Sequence, residues 1–172
     1  MEALTPQELH DHLLSHAEAL FGNALIGSSV DRDFPIFEVE KNQVLEVMKN
    51  LQNHAEAQFG FLTTLCGMHF PEQGDREFGV VYHLHNLPNN WRIRVKIFFG
   101  KDDLKVPSLT SIWPTANWME RQEFDFFGIQ FQGHPDLRRI LNMDEMNYFP
   151  MRKEYPLEDA GRDDKQDKYF GR

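Results

Sequence analysis

Two histidine pairs in this sequence have the spacing of metal ligands. His12 and His16 stand four residues apart, the spacing that places two metal ligands on one face of a helix, and His83 and His85 would share a face of a strand. No carboxylate completes an HExxH arrangement and no third ligand has recognisable spacing, so both pairs are interpreted as ordinary helix-surface and sheet histidines. A free-standing metalloenzyme built on His83, His85 and His69 is the alternative from another functional class.

Three carboxylates lie close together in a predicted helix, at Glu120, Glu123 and Asp125. A general acid and base would need such proximity, but Arg121 is interleaved and nothing in the sequence indicates a raised carboxylate pKa. Two interpretations stay open. Either these groups form ion pairs on the helix surface, or Glu120 and Arg121 are groups that contact a partner or pair in a buried position.

Two adjacent arginines, Arg138 and Arg139, follow the turn at residues 133–136. Guanidinium groups favour bidentate carboxylate pairing and tolerate burial at an interface better than ammonium groups do. The pair is therefore either solvated or part of a partner interface. Glycine-rich phosphate loops of the GxGxxG or Walker type are absent from the sequence, so no nucleotide site is indicated.

Composition limits the partners and cofactors of the chain. The formal charge of −9 excludes a broad nucleic-acid footprint, and the sequence has no polybasic segment for anionic lipid. Cys66 is the only cysteine, so the chain alone can form neither an intrachain disulfide nor an iron–sulfur cluster that needs four thiolates. Cys66 follows the apolar run at 61–65, which predicts a small buried hydrophobe rather than a reactive thiol.

The chain carries no sequence signal for crossing a membrane. No apolar run approaches the roughly 20 residues needed for a span, and the first ten residues have neither a basic nor an apolar signal region. We expect a cytosolic chain that only a partner would hold at a membrane.

Capping signals and hydrophobic periodicity predict the helices and strands that carry these residues. Residues 5–8 (TPQE) hold both ends of a capping box, which starts a helix that continues at helical spacing to a stop at Gly22. Residues 33–40 are predicted as a short strand near a sheet edge, because Pro35 cannot donate to a ladder. A second amphipathic helix is centred on residues 44–51.

The second half of the chain predicts a sheet and one long helix. Residues 59–68 and 78–85 form a hairpin, and residues 91–99 alternate strictly between an apolar face and a cationic one of Arg92, Arg94 and Lys96. A helix with Pro114 in its first turn would run to Phe127 and stop at Gly128. The predicted fold class is α+β, with helices packed on one face of a largely antiparallel sheet.

The C-terminal residues show neither period. We expect a single α+β domain over residues 1–150, followed by an extended partner-docking arm over residues 151–172, in which six basic residues balance six acidic ones.

An ordered series of motifs resembles one known family. Residues 120–128 (ERQEFDFFG), His134, Arg138 and the pair at 140–141 are similar to the signature of the 30 kDa-type subunit of respiratory complex I, the C-type subunit of the bacterial NADH:quinone oxidoreductase. Gln122 departs from the Glu-Arg-Glu that usually opens the signature. Residues 80–84, 92–96 and 150–157 extend the resemblance, which covers roughly residues 35 to 172.

The resemblance implies a function in assembly rather than chemistry. In that family the subunit is a non-redox part of the peripheral arm, on the cytoplasmic side of the inner membrane, and packs against the 49 kDa-type quinone-site subunit in a hetero-oligomer. FMN, iron–sulfur clusters and quinone are expected in neighbouring subunits, with none bound by this chain. The equivalent subunit of a membrane-bound hydrogenase or of a ferredoxin-using photosynthetic complex is the related alternative. The expected partner-interface residues are Glu120, Arg121, Asp125, His134, Arg138, Arg139, Arg152, Lys153 and Tyr155.

Overall fold

The computed structural model describes residues 4–155 of the chain, which form four α-helices and seven strands. The helices are α1 (Pro6–Ser15), α2 (Ala17–Leu20), α3 (Val44–Asn53) and α4 (Ala116–Phe127). The strands are β1 (Leu25–Asp31), β2 (Phe34–Val39), β3 (Phe61–His69), β4 (Phe78–Asn86), β5 (Trp91–Phe99), β6 (Lys105–Pro107) and β7 (Gln130–Gln132).

A five-stranded sheet in the order β1-β2-β5-β4-β3 organises the fold. Its neighbours pair antiparallel except β2 with β5, and the short β6 and β7 form a separate parallel pair. The predicted α+β class with a largely antiparallel sheet is therefore confirmed. Strand β1 was not predicted, because Gly27, Ser28 and Ser29 give it no apolar alternation.

The first helix begins as its capping box predicts. The Thr5 hydroxyl accepts from the Glu8 N–H, and the Glu8 carboxylate accepts from the Thr5 N–H at 2.8 Å. The helical run is nevertheless broken at His16, so that α1 and the single turn α2 are separate. Gly22 lies just beyond α2 with φ of 54°, the left-handed conformation expected of a helix stop.

The core lies between one face of the sheet and the helices. Alternate residues of β5 (Ile93, Val95 and Ile97) are fully buried, together with Phe37 of β2 and Tyr82 of β4. The opposite face carries the cationic side chains of β5, and the residues that the structure describes place no helix across it. This arrangement agrees with the expected packing of helices on one face.

Two local predictions were wrong. Pro114 precedes α4 instead of occupying its first turn, because the turn at 113–115 is stabilised by its own hydrogen bond from Ala116 N–H to the Trp113 carbonyl. Cys66 is exposed, because it faces the open side of the sheet at a position opposite Val81. None of the described residues belongs to a helix with the length and apolarity needed to cross a bilayer.

Candidate partner interface

Helix α4 places the predicted carboxylates inside the protein. Glu120 has no exposed surface, and its two carboxylate oxygens accept from the Ser108 hydroxyl and the Leu109 N–H, each at 2.7 Å. The alternative of ion pairs on the helix surface is wrong, because all three of these carboxylates are buried, and the side chains of Glu120 and Arg121 bond to other groups. The bonds of Glu120 fasten the chain after β6 to α4.

Glu123 fastens the same helix to the edge of the sheet. One carboxylate oxygen accepts from the Gly67 N–H of β3 at 2.7 Å, so the helix caps a donor that no strand pairs. A Cβ on Gly67 would lie 2.5 Å from that oxygen and 2.7 Å from the Phe127 ring. Glycine at 67 therefore permits the close approach of α4 to β3.

Burial changes the ionisation of both glutamates. It raises the pKa of Glu120 and of Glu123 to about 7, because removal from water disfavours the charged carboxylate, and the hydrogen bonds to each group offset this only in part. The expectation that no carboxylate here has a raised pKa was wrong. Both side chains are shut off from solvent, which makes them structural groups in this conformation.

Asp125 is the centre of a second buried network. Its carboxylate accepts backbone N–H groups from Ile140, Leu141 and Asn142 at 3.1, 2.8 and 2.9 Å, and a guanidinium N–H from Arg139 at 2.7 Å. Burial acts to raise the pKa of Asp125, but the hydrogen bonds outweigh it and hold that pKa well below its usual range. The ionised carboxylate therefore folds residues 140–142 over the helix.

Arg139 reaches beyond Asp125 to the chain that follows. Its second terminal nitrogen donates to the carbonyl oxygens of Met146 and Tyr148 at 2.8 and 3.0 Å. Arg139 thus differs from its neighbour Arg138, which donates to Asp136 and keeps 70% of its side chain exposed. One member of the arginine pair is an internal tie and the other is available at the surface.

Arg121 is the second internal tie. Its guanidinium donates to the carbonyls of Arg138 and Arg139 at 3.2 and 3.1 Å, and lies 5.2 Å from the centre of the Trp118 ring. His134 adds a contact between its Nε2 and the Asn117 carbonyl at 3.1 Å. Both contacts involve the segment that follows β7, residues 133–155, which we call the C-terminal segment.

The end of α4 also anchors the far part of the C-terminal segment. Gly128 has φ of 77°, and Arg152 donates to the Phe127 carbonyl at 2.8 Å while its guanidinium lies 4.7 Å from the Phe149 ring centre. A Cβ on Gly128 would be 2.6 Å from the Phe149 ring. Glycine is needed here for the left-handed conformation and for space.

Lys153 and Tyr155 lie at the last described positions. The Lys153 N–H donates to Nδ1 of His69 at 2.9 Å, while the exposed Tyr155 ring lies 5.0 Å from that of Tyr148. Residues 151–155 are therefore bonded to the domain, and the rest of the arm predicted over 151–172 lies outside the described residues. The domain boundary at 150 stays a prediction.

Large apolar side chains remain exposed on α4 and on the segment tied to it. Trp118 is 63% exposed, Leu141 65% and Met143 69%, although the backbone beneath them is held by buried hydrogen bonds. Large apolar side chains exposed on a helix and on the segment bonded to it are typical of an interaction site. The docking surface is defined here as Trp118, Leu141, Met143, Tyr148, Met151 and Tyr155.

Some of the expected interface residues are buried beneath the docking surface, and others have exposed side chains beside it. Glu120, Asp125, Arg121 and Arg139 shape the surface from within, and the side chain of Arg152 is also largely covered. The residues with exposed side chains beside the docking surface are Arg138 and Lys153. The participation of all these residues in a partner contact stays a prediction.

The three histidines of the metalloenzyme alternative, His69, His83 and His85, are not brought together, whereas the rings of His12 and His16 lie 5.2 Å apart. His83 accepts from Arg94 at 2.9 Å and His85 contacts Asn90, whereas His69 is the last residue of β3 and lies opposite Phe78, at the other end of the β3–β4 pair. Among residues 4–155 no three histidine, cysteine or acidic side chains are arranged to hold a metal ion.

Sequence reasoning missed the contacts of Glu120 and Glu123. The signal for one of them is Gly67, a glycine inside an otherwise apolar strand, which often marks the close approach of another element. Ser108 carries no comparable signal, because the spacing of a loop hydroxyl from a helix depends on the whole fold.

The chain is similar to known proteins in both sequence and fold. The model of the family "Respiratory-chain NADH dehydrogenase, 30 Kd subunit" matches residues 37–161. A C-type subunit of the NADH-quinone oxidoreductase of Rhizobium etli is 43% identical over 138 residues, which are 80% of this chain and 72% of the relative. The C-type subunit of the Streptomyces coelicolor enzyme is 38% identical over 78% of this chain and 54% of its own length.

Two solved structures have the same fold. The trypsin-resistant fragment of Nqo5 superposes with a TM-score of 0.61 at 28% identity, over 74% of this chain and 98% of the fragment. A chain of the archaeal membrane-bound sulfane sulfur reductase gives a TM-score of 0.70 over 88% of this chain and 85% of its own, but at 24% identity it shows the fold alone. The family match, the identity to these C-type subunits and the Nqo5 fold agree with the resemblance in the motifs, and the chain belongs to the family of 30 Kd subunits of the respiratory-chain NADH dehydrogenase, complex I.

Proposed function

We propose that this chain is a non-redox subunit of the peripheral arm that positions the 49 kDa-type quinone-site subunit of an NADH-quinone oxidoreductase. The observation that carries the proposal is the docking surface, whose exposed apolar residues are mounted on a backbone fixed by Asp125, Arg121 and Arg139. A surface that is already ordered loses little conformational entropy when a partner binds.

In this proposal, electrons pass from NADH through FMN and iron–sulfur clusters to quinone entirely in neighbouring subunits. The chain would sit on the cytoplasmic side of the inner membrane, held there by its partners. Arg138 and Lys153 beside the docking surface would select the register of the partner by pairing with its carboxylates.

Leu141→Asn tests the docking surface directly, and Leu87→Asn is its matched control. Both leucines are similarly exposed, at 65% and 62%, but Leu87 lies in the turn between β4 and β5 and is not part of the docking surface. Leu141→Asn is expected to lower the amount of assembled complex severalfold, as for a buried apolar contact of about 1–3 kcal/mol, while Leu87→Asn leaves it unchanged. Native gels of solubilised membranes measure the assembled complex.

Arg138→Ala is the polar counterpart and should also reduce assembly. NADH:quinone turnover per assembled complex should stay normal in each variant, since these residues contact no reacting group. Normal assembly with lowered turnover would contradict the proposal and assign the surface to the reaction itself.

A further inference from the structure

The two edges of the five-stranded sheet differ in whether another element covers them. At one edge, α4 covers β3 and the Glu123 carboxylate occupies the outward Gly67 N–H. At the other edge, no described strand pairs with the outer side of β1, where Ile26 is 53% exposed and residues 27–29 are also exposed. An open edge of this kind is a template for another strand.

The hairpin geometry identifies the free backbone groups of β1. Arg32 and Asp33 have φ of 47° and 66°, the conformation of a two-residue primed turn, in which the flanking pair exchanges both ladder hydrogen bonds. Bonded and non-bonded pairs then alternate, and Val30 faces Pro35 at a non-bonded position, in keeping with a residue that has no N–H. The N–H and C=O groups of Val30 and Ser28 consequently point outward from the sheet.

A groove runs beside this edge on the open face of the sheet. It has a volume of about 310 Å³ and is bordered by residues 27–29, Ile36, Glu38 and Lys96. Glu38 is already paired with Arg76 through two hydrogen bonds of 2.5 and 3.0 Å, whereas Lys96 makes no ion pair with any residue in the range 4–155. The groove therefore holds an available cation.

The open face is locally cationic although the chain carries −9. Arg92, Arg94 and Lys96 project from alternate positions of β5, and the acidic residues of the adjoining strands on this face are Asp31 and the paired Glu38. An acidic side chain entering the groove would find a complementary charge. A second copy of this chain is a poor occupant, because two chains of −9 repel each other.

We propose that an extended acidic segment of a neighbouring subunit adds to the outer edge of β1, with backbone hydrogen bonds to Ser28 and Val30 and a carboxylate paired with Lys96 in the groove. In strand addition of this type, main-chain bonds supply affinity and pockets for alternate side chains supply specificity. This contact goes beyond the docking surface, which lies by α4 at the opposite edge of the sheet.

Hydrogen exchange tests whether β1 gains a partner on assembly. The full chain alone is compared with the same chain in the complex purified from native membranes. Segment 25–31 should gain protection at about two amides, with exchange slowed by at least about tenfold, because the Ser28 and Val30 N–H groups become bonded. Unchanged exchange of this segment in the assembled complex overturns the proposal.

Ser28→Pro and Ser28→Val separate the backbone contact from the side chain. Proline removes the outward N–H while leaving the bonded pairs of β1 with β2 intact, and valine keeps the N–H. Ser28→Pro should abolish the gained protection and Ser28→Val should keep it, with similar thermal stability of the two free chains. Equal protection in both variants overturns strand addition. If the proline variant fails to fold, Lys96→Glu against Lys96→Gln tests the charge pairing in the groove instead: a greater loss of the gained protection is expected for glutamate, and equal protection in these two variants overturns the proposal.

A photo-reactive residue at position 29, introduced into the full chain in its complex, identifies the occupant. A cross-link to an acidic stretch of a different subunit is expected. A cross-link to a second copy of this chain, or to a neutral or basic segment, overturns the stated partner chemistry. The cross-link at position 29 is measured in a chain that keeps Leu141, so its outcome does not depend on the Leu141→Asn result. The two proposals can therefore fail separately.

Discussion

Glu123 shows how one side chain can join two elements at a cost in electrostatic free energy. Its carboxylate satisfies the Gly67 N–H at the sheet edge, where an unpaired buried donor would be unfavourable. The same burial raises its pKa to about 7, so the protein holds a group that resists ionisation inside the α4–β3 contact. The contact is therefore sensitive to pH.

We expect Glu123→Gln to flatten the pH dependence of stability. Because the folded pKa of about 7 exceeds the ordinary glutamate pKa of 4.5, the folded state binds more protons between these values. The free energy of unfolding should fall as pH rises from about 4.5 to 7, by up to roughly 3 kcal/mol for this group. Glutamine keeps the acceptor for Gly67 and removes the titration.

Urea unfolding at several pH values measures this effect, and Glu46→Gln is the matched control. Glu46 is exposed on α3, so its substitution should leave the slope of stability against pH as in the unmodified chain. A slope that is the same in all three proteins would show that Glu123 ionises in the fold as readily as it does in water.

At the scale of elements, the end of α4 decides where the C-terminal segment lies. Gly128 turns the chain out of the helix, and Phe149 and Arg152 then pack into the space left by its missing side chain. Gly133 has a similar φ of 86°, but nothing lies within 4 Å of the position of its Cβ. The two glycines share the same backbone requirement and differ in crowding.

Gly128→Ala is expected to destabilise the protein more than Gly133→Ala. Both changes carry the cost of a left-handed non-glycine residue, about 1–2 kcal/mol, and only the first adds an overpacking cost of about 1–3 kcal/mol. Thermal unfolding compares the two variants. Equal losses would mean that Phe149 and Arg152 move aside without cost, and would weaken the case that α4 fixes the docking surface.

The elements that could be predicted from sequence are those whose signals are local. The capping box at Thr5 and the alternation of β5 are contained within a few residues, and both appear as expected. Strand β1 depends on pairing with β2, and the partner of Glu120 depends on where the loop at Ser108 returns, so neither can be read from short-range patterns. Cys66 was misplaced because apolar neighbours do not reveal which face of a strand is covered.

For the interface, the sequence predicted the residue types but not which side chains would be buried and which exposed. The motif residues Asp125, Arg121 and Arg139 were expected at a partner contact, and in the structure their side chains hold the C-terminal segment against α4. Arginine and carboxylate pairs look the same in sequence whether their partner is another chain or a nearby carbonyl. Exposed apolar residues such as Leu141 are not marked by any charge pattern in the sequence.

At the scale of the whole molecule, the sheet separates two candidate contacts. The docking surface lies beside β3 and the open edge is β1, about 19 Å away across four strand spacings. The core between them is continuous, with residues from α1, α3 and every strand of the central sheet except β1 fully buried. Such a body can hold two partners at a fixed separation.

Truncation tests how the C-terminal arm divides between the domain and its partner. A chain ending at Tyr155 keeps the bonds of Arg152 to Phe127 and of Lys153 to His69, so we expect its free energy of unfolding to change by less than about 0.5 kcal/mol. A chain ending at residue 150 loses both bonds and the cover over the Phe149 ring, and should lose about 2–4 kcal/mol. Both truncations should impair incorporation into the complex, because we expect the arm to supply area to the partner. Urea unfolding of the isolated chains measures the stability, and native gels of membranes measure the incorporation. Normal incorporation of the chain ending at Tyr155 would remove residues 156–172 from the interface. Equal stability of the two truncated chains would place the domain boundary at residue 150.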